Sequence, residues 1–278
     1  CPYIKDTSKS LPLIHAELAG IARGAGVPIW QIYLINCRTE IMSAADERLE
    51  CTSVFLPREK IFAQTWDWAA IFRDLMVTID SKSSSGCRIR TFAEPGMLAK
   101  IGCNSNGIAV GINFLPGEKK LSGRGVPIHL ALRYILEASS VEDGIKRLKS
   151  LPVSSHGNIF ISSSSGEAAW VELSGTDCLV KRWKNEEAVH TNHYLLMKIS
   201  DKAEAESVNR RLLAMRMLRN TRGKSDFERV KSVLGQTGVR VPYQEDFVLG
   251  GYGTVATIIM DLRAVRMDVL PASALVGH

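Results

Sequence analysis

Glu50-Cys51-Thr52-Ser53-Val54, followed by Gln64-Thr65-Trp66-Asp67-Trp68, is the stretch on which the fold turns. Ser53-Val54-Phe55-Leu56 and Ile61-Phe62-Ala63-Gln64 read as short strands around the turn Pro57-Arg58-Glu59-Lys60. A carboxylate on the second strand, Asp67, can return to the start of the first, where Cys51 stands. An internal cysteine there makes sense if it becomes a chain terminus. Cleavage between Glu50 and Cys51 would free an α-amine beside its own thiol. Such an amine has an ordinary pKa of ~7.7–8.0 and can act as a general base at neutral pH. The plain alternative is a packed core cysteine, since free cysteine is among the most buried residue types.

Upstream, residues 10–25 read as a helix opened by Leu11 or Pro12, with Leu13, Leu18 and Ile21 on one side, and stopped by Gly24-Ala25-Gly26. A second helix is expected from about Pro28 to Ala44. Ala45-Asp46-Glu47-Arg48 is polar and suits an exposed processing site. Downstream, strands are expected at 76–79, 98–101 and 107–114, then helices at 127–138 and 141–151. Ser140 and Asp143 form a capping-box pattern for the second of these. Strands at 158–161 and 168–173, helices at 203–221 and 225–235, and strands at 254–262 and 265–270 complete the chain. This order suits an α+β layered domain with mainly antiparallel sheets.

The 278 residues are 45% hydrophobic and 23% charged, which leaves room for a sizeable core. The net charge of +6 is spread out, as in Arg210, Arg211, Arg216 and Arg219 on one expected helix. A nucleic-acid groove would interleave aromatics with such residues, and none are there. The six cysteines include no Cys-x-x-Cys pair, so zinc-knuckle and thioredoxin-like motifs find no support, and the thiols are read as reduced. No run of 18 apolar residues exists to span a membrane. No secretory signal is visible, and a cytoplasmic location is expected. The chain begins with Cys1 rather than Met, which suggests that upstream sequence has been trimmed.

Cys51-Thr52-Ser53 with Gln64-Thr65-Trp66-Asp67 resembles the N-terminal-nucleophile acyltransferases of the acyl-coenzyme A:6-aminopenicillanic acid acyltransferase (peptidase C45) type. Gly102-Cys103-Asn104-Ser105-Asn106-Gly107, Asn113-Phe114, Gly125-Val126-Pro127 and Val189-His190-Thr191-Asn192-His193-Tyr194-Leu195 are similar too, as is Ser207-Val208-Asn209-Arg210. Glu17-Leu18-Ala19-Gly20-Ile21-Ala22 and Asn36-Cys37-Arg38-Thr39-Glu40 resemble the family's small subunit. The resemblance implies a four-layer αββα sandwich. It also implies a precursor that cuts itself before Cys51 into a small segment, 1–50, and a large one, 51–278, held as a heterodimer. Two departures stand out. Glu50 occupies a place where a small residue is usual, and Gly250-Gly251-Tyr252-Gly253 lacks the Ser-Arg pair of the penicillin-forming enzyme.

Chemical need then assigns roles. Cys51 is the expected nucleophile, and Asp67 accepts a hydrogen bond from the new ammonium. Asn192 offers a side-chain N–H to an oxyanion. Arg210 either holds the site's carboxylates or is a helix-surface arginine. Gln64, Trp66, Asn113 and His193 are candidates for substrate binding or oxyanion support. Asn113, in an apolar strand, is either that or a core hydrogen-bonding group, and Trp66 and Trp68 either line an acyl pocket or fill the core. No metal is expected, because no carboxylate or cysteine cluster accompanies His190 and His193. The leading expectation is hydrolysis or acyl transfer at the amide bond of a small N-acyl amine. No cofactor is expected, although a transferase could use an acyl-coenzyme A co-substrate. The expected partners are that substrate and the chain's own small segment, with no nucleic acid and no membrane. An unprocessed, inactive binding protein is the competing expectation, motivated by Glu50.

Overall fold

A computed structural model describes residues 2–42, 51–117, 121–199, 204–242 and 251–271. Helices α1 (Pro2–Ser10), α2 (Pro12–Ala25), α3 (Ile29–Asn36) and α4 (Arg38–Met42) come first. Strands β1 (Ser53–Leu56), β2 (Ile61–Ala69), β3 (Val77–Lys82), β4 (Arg88–Ala93), β5 (Ile101–Asn104) and β6 (Ile108–Asn113) follow. Then come α5 (Ile128–Ile135), α6 (Val141–Lys149), β7 (Ser155–Ser163), β8 (Glu167–Gly175), β9 (Asp177–Lys184) and β10 (Ala188–His190). The last elements are α7 (Glu204–Asn220), α8 (Asp226–Leu234), β11 (Tyr252–Asp261) and β12 (Arg266–Pro271). No single helix among the described residues is long and apolar enough to cross a membrane.

Two antiparallel sheets are stacked, one in the order β10-β1-β2-β11-β12 and one in the order β3-β4-β5-β6-β7-β8-β9. Strand alternation sorts the side chains into three cores. On β2, Phe62, Trp66 and Trp68 enter the space between the sheets, while Ile61 and Ala63 face α7 and α8. On β7, Phe160 faces the other sheet, while Ile159 and Ile161 meet the helices α1, α2, α3, α5 and α6. The layers therefore run helix, sheet, sheet, helix, and the expected αββα sandwich is present.

Several expectations change in detail. The buried face of α2 is Ile14, Leu18 and Ala22, at a strict four-residue spacing, and Leu13 is 65% exposed. Gly26 does end that helix, in the left-handed region at φ 66°. The helix expected from Pro28 is two helices broken at Cys37, and the rest of its span lies outside the described residues. Ser140 caps α6 by accepting from Asp143 N at 3.0 Å, but the Asp143 carboxylate turns back to Ser139 N. The full capping box is instead at α8, between Ser225 and Glu228. Helix α1 and strands β4, β9 and β10 were not expected, and the strand expected at 98–101 begins only at Ile101; β9 carries Asp177, Lys181, Arg182 and Lys184 on exposed positions.

Gln64 ties the two sheets together. Its amide grips the Ile112 backbone, accepting from Ile112 N at 3.1 Å and donating to Ile112 O. The approach needs a glycine at 111, because a Cβ there would collide with Gln64 Oε1 and the Phe62 ring. Gly111→Ala is expected to cost ~1–3 kcal/mol of stability, read as a lowered melting temperature. An unchanged midpoint would mean that the sheets separate freely at this point.

Candidate active site

Cys51 precedes β1 and is 7% exposed. Thr52 N donates to Thr65 Oγ1 at 2.9 Å, and Thr65 N donates to Thr52 O at 3.0 Å, which fixes the chain just after Cys51 against β2. Cys51 N donates to Asn192 Oδ1 at 2.8 Å. Arg210 Nη1 donates to the same Oδ1 at 3.1 Å and to Cys51 O at 3.3 Å. Asn192 Nδ2 donates to Phe114 O at 2.9 Å. Asn192 is thus set by contacts at both ends of its amide, and its oxygen faces the nitrogen of Cys51.

Asp67 makes separate contacts through its backbone and its side chain. Its backbone N–H is directed at the Cys51 sulfur. Its carboxylate accepts from Thr254 Oγ1 at 2.6 Å and from Thr65 Oγ1 at 3.4 Å. The register of β2 against β11 shifts between Thr254 and Ala256, a bulge beside the site of the kind that re-aims side chains. Burial and the Asp67 carboxylate push the Cys51 thiol up to about 12, against the opposing pull of Lys100 and Arg210.

Asn113 Nδ2 lies 3.4 Å from both Cys51 O and His190 O, and its Oδ1 accepts from Ser53 Oγ at 3.1 Å and Asn158 Nδ2 at 3.2 Å. It is therefore both a core hydrogen-bonding group and a neighbour of Cys51. Trp66 fills the inter-sheet core and also lines the cavity at Cys51. Gln64 is occupied by the sheet clamp. His193 does not line the cavity; its Nδ1 meets Ser207 Oγ at 2.8 Å, and that hydroxyl accepts from Asn192 N at 2.7 Å. Burial, and then the neighbouring His190, push His193 down to about 4, so it is neutral at pH 7. Arg210 is 5% exposed and part of the site rather than of a basic surface. Glu50 lies outside the described residues.

Sequence reasoning missed four residues. Glu172 organises the loop that carries Asn192: its carboxylate takes Leu195 N at 2.7 Å, Leu196 N at 2.9 Å and His190 Nε2 at 3.2 Å. Burial alone would raise its pKa, but these partners hold it below the ordinary carboxylate range. Arg38, Glu94 and Lys100 form a largely buried ion cluster beside Cys51. The one signal of it was a lone cation in the apolar run Leu98-Ala99-Lys100-Ile101. The cavity beside Cys51 holds about 40 Å³ and is walled by Arg38, Trp66, Trp68, Lys100, Phe114 and His129 among others. No group of three or more His, Cys, Asp or Glu side chains among the described residues could hold a metal ion.

Comparison with known proteins places this geometry. Two variants of conjugated bile acid hydrolase from Clostridium perfringens have similar folds. One has a TM-score of 0.56 at 12% identity, over 80% of this chain and 92% of that one. The other has a TM-score of 0.55 at 12% identity, over 81% and 93%. The shared architecture is that of the N-terminal-nucleophile hydrolases. A curated relative, the 40 kDa form of acyl-coenzyme A:6-aminopenicillanic-acid-acyltransferase from Emericella nidulans, is 30% identical over 189 residues, 66% of this chain. This chain spans about half (53%) of that relative's length. The family model described as acyl-coenzyme A:6-aminopenicillanic acid acyl-transferase matches residues 56–267, which include Asp67, Asn113, Asn192 and Arg210 and begin just after Cys51. With most of its length matched by that model, the chain belongs to the acyl-coenzyme A:6-aminopenicillanic acid acyl-transferase family.

Proposed function

We propose that this chain is a self-processing cysteine amidohydrolase or acyltransferase, acting on the amide bond of a small N-acyl amine through a thioester on Cys51. One observation carries the reading. Cys51 borders the cavity, and its backbone nitrogen is held at 2.8 Å by Asn192 Oδ1, so thiol and future amine belong to one fixed centre.

In the first step the Cys51 sulfur attacks the carbonyl carbon of residue 50. The C–N bond to Cys51 breaks, an S-acyl thioester forms, and the nitrogen takes up a proton to become an amine. Water then hydrolyses the thioester, leaving a free thiol beside a free α-amine. In turnover the amine removes the thiol proton, the sulfur attacks the substrate carbonyl, and the departing amine takes that proton. Water or a second acceptor releases the acyl group, and the acceptor decides between hydrolysis and transfer. Asn192 and Arg210 orient the α-amine. The Asp67 backbone N–H supports the thiolate, and Asn113 Nδ2 is placed near enough to donate to a developing oxyanion. The relative's name describes acyl transfer, in keeping with this chemistry.

Intact-mass measurement tests the first step. Purified protein should give two chains, the larger beginning at Cys51, while native size shows them still associated. Residues 2–42 are built into the core through Leu11, Leu18 and Tyr33. They are also pinned by Glu40 Oε1 accepting from Ile128 N at 2.8 Å and by the Arg133–Glu17 pair at 2.7 Å. An uncut chain would sink the self-processing reading. Loss of the small segment under native conditions would sink the heterodimer.

A further inference from the structure

Two cations beside Cys51, Lys100 buried and Arg38 partly buried, share a single carboxylate among the described residues. Glu94 Oε1 accepts from Lys100 Nζ at 2.8 Å, and Glu94 Oε2 pairs with Arg38 Nη1. Both cations line the Cys51 cavity, and Glu94 does not. Each cation lies over an aromatic face, Lys100 Nζ at 4.1 Å from the Trp66 ring centre and Arg38 Cζ at 4.6 Å from that of Trp68. Ring faces soften the positive charge without cancelling it. The other acid on the wall, Asp67, has oxygens that accept from Thr254 and Thr65. Two polar atoms of cavity-lining side chains, Trp68 Nε1 and His129 Nδ1, are buried without a hydrogen-bond partner among the described residues. Buried polar atoms are normally satisfied, so an unpartnered indole N–H on a cavity wall points to something that enters.

We propose that Arg38, Lys100 and the Trp68 indole N–H form an anion subsite beside Cys51, which receives a carboxylate carried by the substrate; that this substrate is an amide rests on the function proposed above. The local field agrees. Burial pushes Lys100 down to about 8 even though Glu94 supports its charge, so the ammonium is undercompensated. Burial would raise the Glu94 pKa, yet Lys100 and Arg38 hold it at about 2. His129 is pushed down to about 3 by burial and then by the same two cations, so it stays neutral and adds no charge. A substrate carboxylate supplies the second anion that the cluster lacks among the described residues. The 40 Å³ cavity has room for about three waters, enough to admit a carboxylate group. Arg38 comes from the segment before Cys51, so the small fragment would contribute to substrate choice and not only to stability.

The test compares levulinate with 2-pentanone, methyl ketones of equal chain length of which only the first carries a carboxylate. Neither has an amide bond to break. Ligand-observed NMR titrations of the wild-type protein at fixed ionic strength should show levulinate binding about 10- to 100-fold tighter, the value of a charge-assisted hydrogen bond or two. Lys100→Met and Arg38→Met should each bring that ratio towards one. Arg38, with 18% of its side chain exposed, gives a variant to use if Lys100→Met does not fold. Glu94→Gln removes the competing carboxylate and should raise the ratio. A wild-type ratio near one overturns the proposal, and so does a ratio that survives both methionine variants. Turnover of N-succinyl against N-butanoyl anilides, and of N-acetylglycine against N-methylacetamide, then tells whether the acyl or the amine side carries the charge. A strong ketone ratio with no amide turnover would keep the subsite and overturn the amide reading.

Discussion

Cys51→Ala yields one uncut chain whose turnover falls to background. This is the largest effect expected of any single substitution, because in the proposed function the same sulfur opens the 50–51 bond and carries the acyl group. The alanine removes no packed bulk beyond one sulfur atom, so folding and melting temperature change little. Cys51→Ser is the informative companion. An alcohol is a poorer nucleophile than a thiolate, so serine slows cleavage without removing the attacking atom. The thiol is held up to about 12 by burial and the Asp67 carboxylate. Below that value each pH unit multiplies the thiolate fraction about tenfold. The rate of first cleavage in wild type should therefore climb from pH 7 to pH 9, where a cut made by a contaminating protease would follow the protease's own profile. Intact mass against time at several pH values checks both points. An alanine variant that is cut normally before residue 51 contradicts the proposed function outright.

Asn192→Ala lowers kcat by about 10²-fold or more, with a small change in KM. Positioned proton transfer contributes typically ~10²–10⁴-fold, and Asn192 Oδ1 is the acceptor that holds the nitrogen of Cys51 at 2.8 Å. The substitution also strips one partner from Arg210 and leaves Phe114 O without its donor. A stability loss of ~1–3 kcal/mol should accompany the kinetic one. Single-turnover acylation of the folded fraction separates the two effects. Asp67→Asn supplies the contrast. Its carboxylate contacts Thr254 and Thr65 while its backbone N–H serves the sulfur, so this variant should keep more of its acylation rate than Asn192→Ala. Unchanged acylation by folded Asn192→Ala would remove that residue from the catalytic centre.

The contacts that Asp67 and Asn192 make have a physical reason in the fold. Sequence proximity and residue type suggested that the carboxylate meets the amine and that the amide meets the oxyanion. On a strand, neighbouring positions point to opposite faces. Trp66 and Trp68 enter the inter-sheet space, so the Asp67 side chain between them goes to Thr254 and Thr65, and its backbone N–H favours the Cys51 thiolate. Asn192 is then turned by Phe114 O and Arg210, both remote in sequence, so that its oxygen faces the Cys51 nitrogen.

Local pattern read a good deal of this protein: the β1–β2 hairpin after Cys51, most of the helices and strands in their order, and the end of α2 at Gly26; it made Cys51, Asp67, Asn113, Asn192 and Arg210 candidates for one centre, with a core role left open for Asn113 and a surface role for Arg210. These depend on periodicity, turn chemistry and short motifs, which act over a few residues. Tertiary structure decided the rest. Arg38 meets Glu94 across 56 residues of chain, Cys51 meets Asn192 across 141, and Arg210 reaches Cys51 across 159. Such meetings follow from strand order, register and the stacking of two sheets, none of which is written in a local window. The cation cluster shows this best: along the chain Arg38 stood in a short motif and Lys100 in an expected strand, and only the burial of Trp66, Trp68 and Glu94 around them places both on the wall of the Cys51 cavity.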